Sequence, residues 1–538
     1  MIINHNLPAL RAFGNYVRVN QALTRSMERL SSGLRINRAA DDPAGLAISE
    51  SMRAQTKGLN QATRNAQDAI SLLQTAEGAL DSTHAILDRM RELAVKAASG
   101  TYTANDRLEM QKEIDELAKE IDQIGNTTTF NNLHLLDGSA AVGSSTDKPT
   151  TQVFARGGLE AKRNTAVAGG YQLEIDAAAG LGQIQRSSIF RSKGDPSSIA
   201  ALDTRLADID RFTDANGKFL LDQPQTLTLI AGDGQKATVQ ISASDTIGDL
   251  VDKLNRAIGD TGSGLGQAAL TGAANADKFV SFVTAPSASG PEASGGTLVI
   301  RSAVAGGNGA IQFVGSESLL NALGLSEVQR ATANRYTVTV RDAANPAQVL
   351  ARNVTIEGNM LAGVIDPNID VRFDSNADIL TTWDAVNQQF RWSAAGDSYR
   401  TSVNLAGNPL VFQIGAGEGQ VMGVAIGDMR AAALGVDHLV VTDRQSASKA
   451  ITALDHAIAA VSSERSGLGA AQNRLEHTIN NLTVMAENLT AAESRIRDVD
   501  MAAEMLEYTK LNVLSQVIQA MMVQANQLPQ MVLRLLQE

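Results

Sequence analysis

From Leu59 onward, apolar residues return at alternating steps of three and four: Leu59, Ala62, Ala66, Ala69, Leu73, Ala76, Leu80, Leu87, Met90, Ala94 and Ala97, with Thr83 the polar exception. This spacing holds one stripe on one side of a helix, and a seven-residue repeat kept over many turns makes the helix supercoil against a partner. A second stripe runs near the other end through Ile451, Leu454, Ile458, Val461, Leu468, Leu475, Ile479, Leu482, Ala486, Leu489 and Ile496, interrupted by Arg465, Gln472 and Glu493. At about 1.5 Å per residue the stripes extend for roughly 58 and 69 Å, beyond the usual globular helix. Each needs a neighbour. The simplest assembly is an antiparallel bundle whose seam sets Leu59, Leu73, Leu80, Leu87 and Met90 against Leu454, Ile458, Leu475, Leu482 and Leu489.

A third helix is expected after Gly100, where Thr103 and Asp106 have capping-box spacing and Met110, Ile114, Leu117, Ile121 and Ile124 form a stripe that Gly125 ends. Outside the heptads lie amphipathic stretches near Leu7–Leu30 and Met501–Leu536. Leu23, Met27 and Leu30 mark a face on the first; Leu514, Ile518, Met521, Ala525 and Leu528 mark one on the second. The second also carries Val513, Val517, Met522, Met531 and Val532, which spread apolar surface around the helix. One partner helix cannot cover all of it, so these ends await other subunits, a membrane or a chaperone.

Breakers set the centre apart. Residues 139–447 hold 35 of the 45 glycines, so strands and turns are expected there. Thr226–Ala231 and Lys236–Ile241 alternate apolar and polar residues around Gly232-Asp233-Gly234, a hairpin pattern, and Asp245–Ile258 follows as an amphipathic helix. Further strands are expected at Val280–Thr284, Thr297–Arg301, Ile311–Val314 and Tyr336–Arg341. The fold class is therefore α+β and multidomain: a long antiparallel coiled-coil bundle from both termini, with central β-rich or α+β inserts.

Composition narrows the chemistry. The net charge of -12 argues against a nucleic-acid binder, and the lack of cysteine removes disulfides, thiolate nucleophiles and cysteine-based metal sites. No run of apolar residues is long enough to span a membrane, and no basic start followed by an apolar stretch marks a cleavable leader. The histidines show no local metal-binding spacing, Gly415–Gly419 is a turn rather than a phosphate loop, and Asp41, Asp42, Asp498 and Asp500 suit helix caps and surface charge. No catalytic residue, cofactor or metal is expected. Charge is asymmetric: residues 1–64 carry nine Arg and Lys against four Asp and Glu, whereas 487–507 are acidic, a complementarity that can select register between helices.

Ser31-Ser32-Gly33-Leu34-Arg35-Ile36-Asn37-Arg38-Ala39-Ala40-Asp41-Asp42-Pro43-Ala44-Gly45-Leu46 resembles the N-terminal signature of bacterial flagellins. Glu487-Asn488-Leu489 through Asp498-Val499-Asp500-Met501-Ala502, with Ala525-Asn526-Gln527-Leu528-Pro529, resembles the C-terminal one. The resemblance implies a structural subunit, not an enzyme, that polymerises with itself into the extracellular flagellar filament after flagellar type III export. It further implies an inner tube from 1–45 plus 500–538, a bundle shell from 46–180 plus 405–499, and outward modules from 181–404. Implied partners are an export chaperone on the last forty residues, filament cap and hook-junction proteins, and the flagellin-sensing Toll-like receptor. For that receptor the motif Arg89-Met90-Arg91-Glu92-Leu93 with Glu113 suggests Arg89, Leu93 and Glu113 as contacts, with Arg89 and Leu93 sharing a face outside the seam. The polymerisation and chaperone face is assigned to Leu514, Ile518, Met521 and Leu528. The alternative is a surface adhesin or enzyme carried by the central insert.

Overall fold

A computed structural model describes residues 6–535 apart from 150, 160–168, 214–217, 233, 261–262, 268–278, 287–289, 305, 333–334, 374–378, 385–388 and 395–398. The helices, in chain order, are α1 Leu7–Ser32, α2 Pro43–Ala98, α3 Ala104–Thr127, α4 Ile247–Gly259, α5 Glu317–Leu323, α6 Ala431–Leu434, α7 Arg444–Arg497 and α8 Met501–Leu535. The chain divides into two compact units, one of 1–70, 412–422 and 472–538, the other of 71–411 and 423–471.

In the first unit α2 and α7 run antiparallel: Arg53 Nη2 donates to Glu493 Oε1 at 2.9 Å, and Leu59 and Ala62 pack with Leu482 and Ala486, joined by half-buried Leu489. Small residues let another segment approach. A Cβ on Gly58 would lie 2.9 Å from the Ala416 Cβ, and Asn65 Nδ2 donates to Gln413 O at 3.1 Å. The 415–419 segment is the expected turn: Gly419 has φ +76°, and the Gln420 side chain accepts from the Gly417 N–H at 2.9 Å.

The second unit repeats the antiparallel register, with Arg91 Nε donating to Asp455 at 2.6 Å and Arg465 bonded to Glu77 and Asp81. Arg465 interrupts the apolar stripe, and its charge is met by acids on the facing helix. Across the two units Leu59, Leu73, Leu80, Leu87, Met90, Leu454, Leu475 and Leu482 are buried, while Ile458 and Leu489 are half-buried. The Thr103–Asp106 capping box opens α3 as expected.

Two features of α3 differ from the sequence expectation. Its buried positions are Gln111, Ile114, Ala118, Ile121 and Gly125, and Gly125 lies inside the helix rather than ending it. A Cβ there would come within 2.6 Å of the Arg430 Cγ, so the glycine makes room for a side chain. Gln111 replaces an apolar residue because it has work for both ends of its amide: Nε2 donates to Leu439 O at 2.7 Å and Oε1 accepts from the Val441 N–H at 2.7 Å.

The rest of this unit is antiparallel sheet. Gln225–Ala231 pairs with Lys236–Ile241 and with Ile311–Val314, close to the expected strands; Asp233 of the expected turn lies outside the described residues. Helix α4, capped by Thr246 and Asp249, buries Ile247, Leu250, Val251, Leu254 and Ile258 in a core shared with Phe190, Phe212, Leu227 and Leu298. A second core lies among Leu173, Ile175, Tyr336, Val338, Val371 and Val403. Its five-stranded sheet orders Val349–Glu357, Arg335–Asp342, Gly169–Ala179, Tyr399–Gly407 and Val142–Thr146. Strands on either side of residues 180 and 404 therefore share one sheet, so those expected boundaries cut through a hydrogen-bonded layer. Ladder partners come from anywhere in the chain, and a change in composition does not mark them.

Two outcomes are expected. Replacing Leu73 and Leu80 with Asp buries unpaired charge in the seam at a cost above about 3 kcal/mol per site, so helical circular dichroism should collapse. Glu464 on α7 is pushed above the usual glutamate range by burial, only partly offset by the Gly427 N–H that it accepts at 3.1 Å. A raised folded pKa favours folding below the unfolded value, and that contribution is lost as pH rises through the folded one. Glu464→Gln should therefore raise the melting temperature at neutral pH, and the gain should vanish in mild acid.

Candidate assembly interface

Asn6 opens α1 by accepting the Ala9 N–H at 3.1 Å, and Pro8 in the first turn needs no amide partner. Helix α8 is opened by Asp500, whose carboxylate accepts from Ala502 N at 2.9 Å and Ala503 N at 3.1 Å. The two helices run antiparallel, tied at one end by Asn6 Nδ2 donating to Ala525 O at 2.9 Å and at the other by Arg29 beside Glu504 at 3.8 Å. The contact stripe on α1 passes through Ala9, Ala12, Tyr16, Val19, Leu23, Ser26 and Leu30. Its counterpart on α8 passes through Glu504, Tyr508, Leu511, Ser515, Ile518, Met522 and Ala525.

This stripe splits the face expected on α8. Ile518 and Ala525 turn toward α1, whereas Leu514 and Met521 stand outward, Met521 at 61% exposure; Leu528 is on the same helix, its side chain outside the described residues. An all-round apolar helix has no single preferred face, so the register of its partner chooses one. On the outside remain Leu7, Leu10, Phe13, Val17 and Met27 of α1, and Leu506, Val513, Val517 and Val523 of α8.

Where α1 meets α2 and α7 meets α8, the two chain ends are stitched together. Gly33 takes the left-handed conformation, φ +70°, and its N–H donates to Arg29 O, ending α1. Arg35 N then donates to Arg497 O at 2.7 Å, Val499 N donates to Gly33 O at 3.0 Å, and Arg35 also reaches Ile496 O. Ile36 is buried beneath this junction. Asp41 accepts the Asn37 and Arg38 amides, which hold its carboxyl below the usual range, and Asp42 accepts the Gly45 N–H at 2.9 Å at the start of α2. Asp42 and Asp500 cap helices, as their positions suggested, whereas Asp41 closes the turn at residues 37–41. Glu50 is bonded to Arg497, which lowers its pKa, and Arg53 joins Glu50 at 3.5 Å to Glu493 at 2.9 Å. The basic and acidic ends thus meet within one chain. Nothing in the spacing of either segment alone announced that they adjoin.

In the other unit, Arg89 donates through Nε and Nη2 to Glu113 Oε1 at 2.9 and 2.8 Å and through Nη1 to Glu92 at 3.0 Å, contacts that raise its pKa. Arg89 and Glu113 are accessible. Leu93 is not: it is 3% exposed and cannot share an outward face with Arg89. Helix α3 lies along this part of α2, held by the Arg89–Glu113 pair and by Arg107 donating to Ala97 O and Ser99 O, both at 2.8 Å. Besides the seam residues, Leu72 and Leu93 of α2 are buried.

The family model for the bacterial flagellin N-terminal helical region matches residues 3–141, and that for the C-terminal helical region matches residues 451–536. A flagellin of Clostridium tyrobutyricum is 34% identical over 532 residues, covering 98% of this chain and 99% of that protein. The chain belongs to the bacterial flagellin family. A flagellin of Bacillus subtilis agrees, 31% identical over 538 residues and covering 100% of each. A solved FliC chain from Burkholderia pseudomallei aligns with 76% of this chain and 99% of its own at 15% identity, with a TM-score of 0.21, too low to compare the arrangement of parts. As a flagellin the chain is a structural subunit of the extracellular flagellar filament, not an enzyme. An adhesin or enzyme carried by the insert receives no support. Among the described residues no helix is long and apolar enough to cross a membrane.

Gly45 gives the junction its test. A Cβ there would sit 2.4 Å from Asp42 Oδ2 and 2.8 Å from Ile36 Cδ1. Gly45→Ala should cost about 1–3 kcal/mol by displacing the cap or the buried isoleucine, read as a lower denaturant midpoint for the terminal helices.

Proposed function

We propose that filament growth consists of covering the outward strips of α1 and α8 with neighbouring copies. The observation that carries this reading is their double apolar character: one strip of each helix is used within the chain, and a second, including Leu10, Phe13, Leu514 and Met521, has no cover. A contact made between different surfaces of successive copies does not close, and its repetition generates a helix. In this reading α1 and α8 form the inner tube, the long helices α2, α3 and α7 the shell, and the sheet-rich inserts the outward modules. Leu514, Met521 and Leu528 serve contacts between subunits, and Ile518 holds α8 on α1.

The same surface suits an export chaperone, since an amphipathic helix offers regularly spaced apolar anchors to a groove. At the filament ends, cap and hook-junction proteins would meet the edges that a further copy otherwise covers. For the Toll-like receptor, the accessible Arg89–Glu113 pair is the contact, with Leu93 supporting the helix from within. Deleting residues 500–538 should leave a helical, soluble chain that no longer pellets as filaments. Filaments of ordinary length from the truncated chain would refute the assignment.

A further inference from the structure

The chain has no cysteine, so methionine sulfur is its most readily oxidised side-chain atom. Among the described residues the exposed methionines are Met27, Met485, Met501, Met505 and Met521, and every one belongs to the unit built from the chain ends. In the other unit Met90, Met110, Met360 and Met429 are buried or half-buried. Four of the exposed set lie on α1 and α8. Met501 and Met505 are one turn apart and share a side of α8. The register fixed by Asn6 with Ala525 and Arg29 with Glu504 sets Met27 across from Met505.

We infer that Met27, Met501, Met505 and Met521 are modification sites at which a peroxide-class oxidant switches off self-assembly of the unassembled subunit. The inference rests on the reading of α1 and α8 as the polymerisation surface. In the reaction a sulfur lone pair takes the near oxygen of hydrogen peroxide and the O–O bond breaks. The proton of the transferred oxygen passes to the departing hydroxide, which leaves as water; the thioether is oxidised by two electrons and the peroxide reduced by two. The product is a polar sulfoxide on a surface whose purpose is to be buried against apolar neighbours. Its oxygen would enter the subunit interface as an acceptor that the thioether partner surface was not built to satisfy. Once assembled, the same sulfurs are covered, so the polymer should resist what disables the free chain.

The test treats full-length monomer and preformed filaments with hydrogen peroxide, maps sulfoxides by peptide mass and measures the fraction that pellets under polymerising conditions. Sulfoxides at these positions in the monomer, a several-fold drop in pelleted protein, recovery after methionine sulfoxide reductase treatment and slower oxidation in filaments are expected. In the variant carrying M27L, M501L, M505L and M521L, the pelleted fraction relative to its own untreated sample should fall several-fold less than in the parent chain; if that variant loses helicity or assembly, the M501L and M505L pair, compared in the same way, should give partial tolerance. Absence of sulfoxide at these positions in the monomer, full polymerisation despite it, or equal inactivation of a folded leucine variant would overturn the inference. Deleting 500–538 separates the two readings. If the truncated chain still polymerises, the assembly surface itself is wrong; if it does not, yet oxidation is harmless, only the switch is.

Discussion

Both units depend on the packing of α2 against α7, which brings residues from the first fifth and the last fifth of the chain side by side. Burial of Leu59, Leu73, Leu80, Leu87 and Met90 supplies the free energy, at about 1.5–3 kcal/mol for each large side chain fully removed from water. Polar positions in the stripes then limit the register. Arg465 finds Glu77 and Asp81, and Arg53 finds Glu493, only when the helices are aligned as they are. A slip by one heptad would separate each of these pairs.

With the long helices fixed, the ends of the chain have little freedom. Gly33 ends α1, Asp42 and Asp500 begin the next helices, and the backbone bonds between 33–35 and 497–499 hold both turns together. Capping and cross-linking here exploit groups that every helix end leaves unsatisfied, so a short polar segment does the work of a larger core. Helices α1 and α8 emerge paired, each with one flank satisfied and one not. Under the proposed reading, a surface of this kind suits a subunit that joins its copies without covalent change, because apolar burial gives free energy only on contact.

The inserts are organised differently. Their cores come from strands far apart in sequence, such as Gly169–Ala179 between Arg335–Asp342 and Tyr399–Gly407, so they fold as modules whose parts must find each other across long loops. They are attached through polar clamps. Gln312 Nε2 donates to Asp443 at 2.6 Å and to Ser446 at 2.8 Å, at the start of α7, and Lys236 pairs with Asp115 on α3. The insert beside α4 is thereby fastened to the helices by side-chain hydrogen bonds and an ion pair, a device that permits its outer surface to vary without disturbing the seam.

Local periodicity and capping chemistry sufficed to identify the long helices with their apolar stripes, the Thr103 cap and the hairpin on either side of residues 232–234, because those features depend on residues within a few positions of one another. The tertiary structure decided what periodicity leaves open. On α8 apolar residues surround the helix, so only docking on α1 determined that Ile518 faces inward and Met521 outward. Leu93 reads as a neighbour of Arg89 four residues away, yet it is buried while Arg89 is accessible. Gly125 reads as a stop, yet it accommodates Arg430. In each case the spacing of residues fixes where a side chain points relative to its own helix axis, while burial depends on which distant segment arrives beside it.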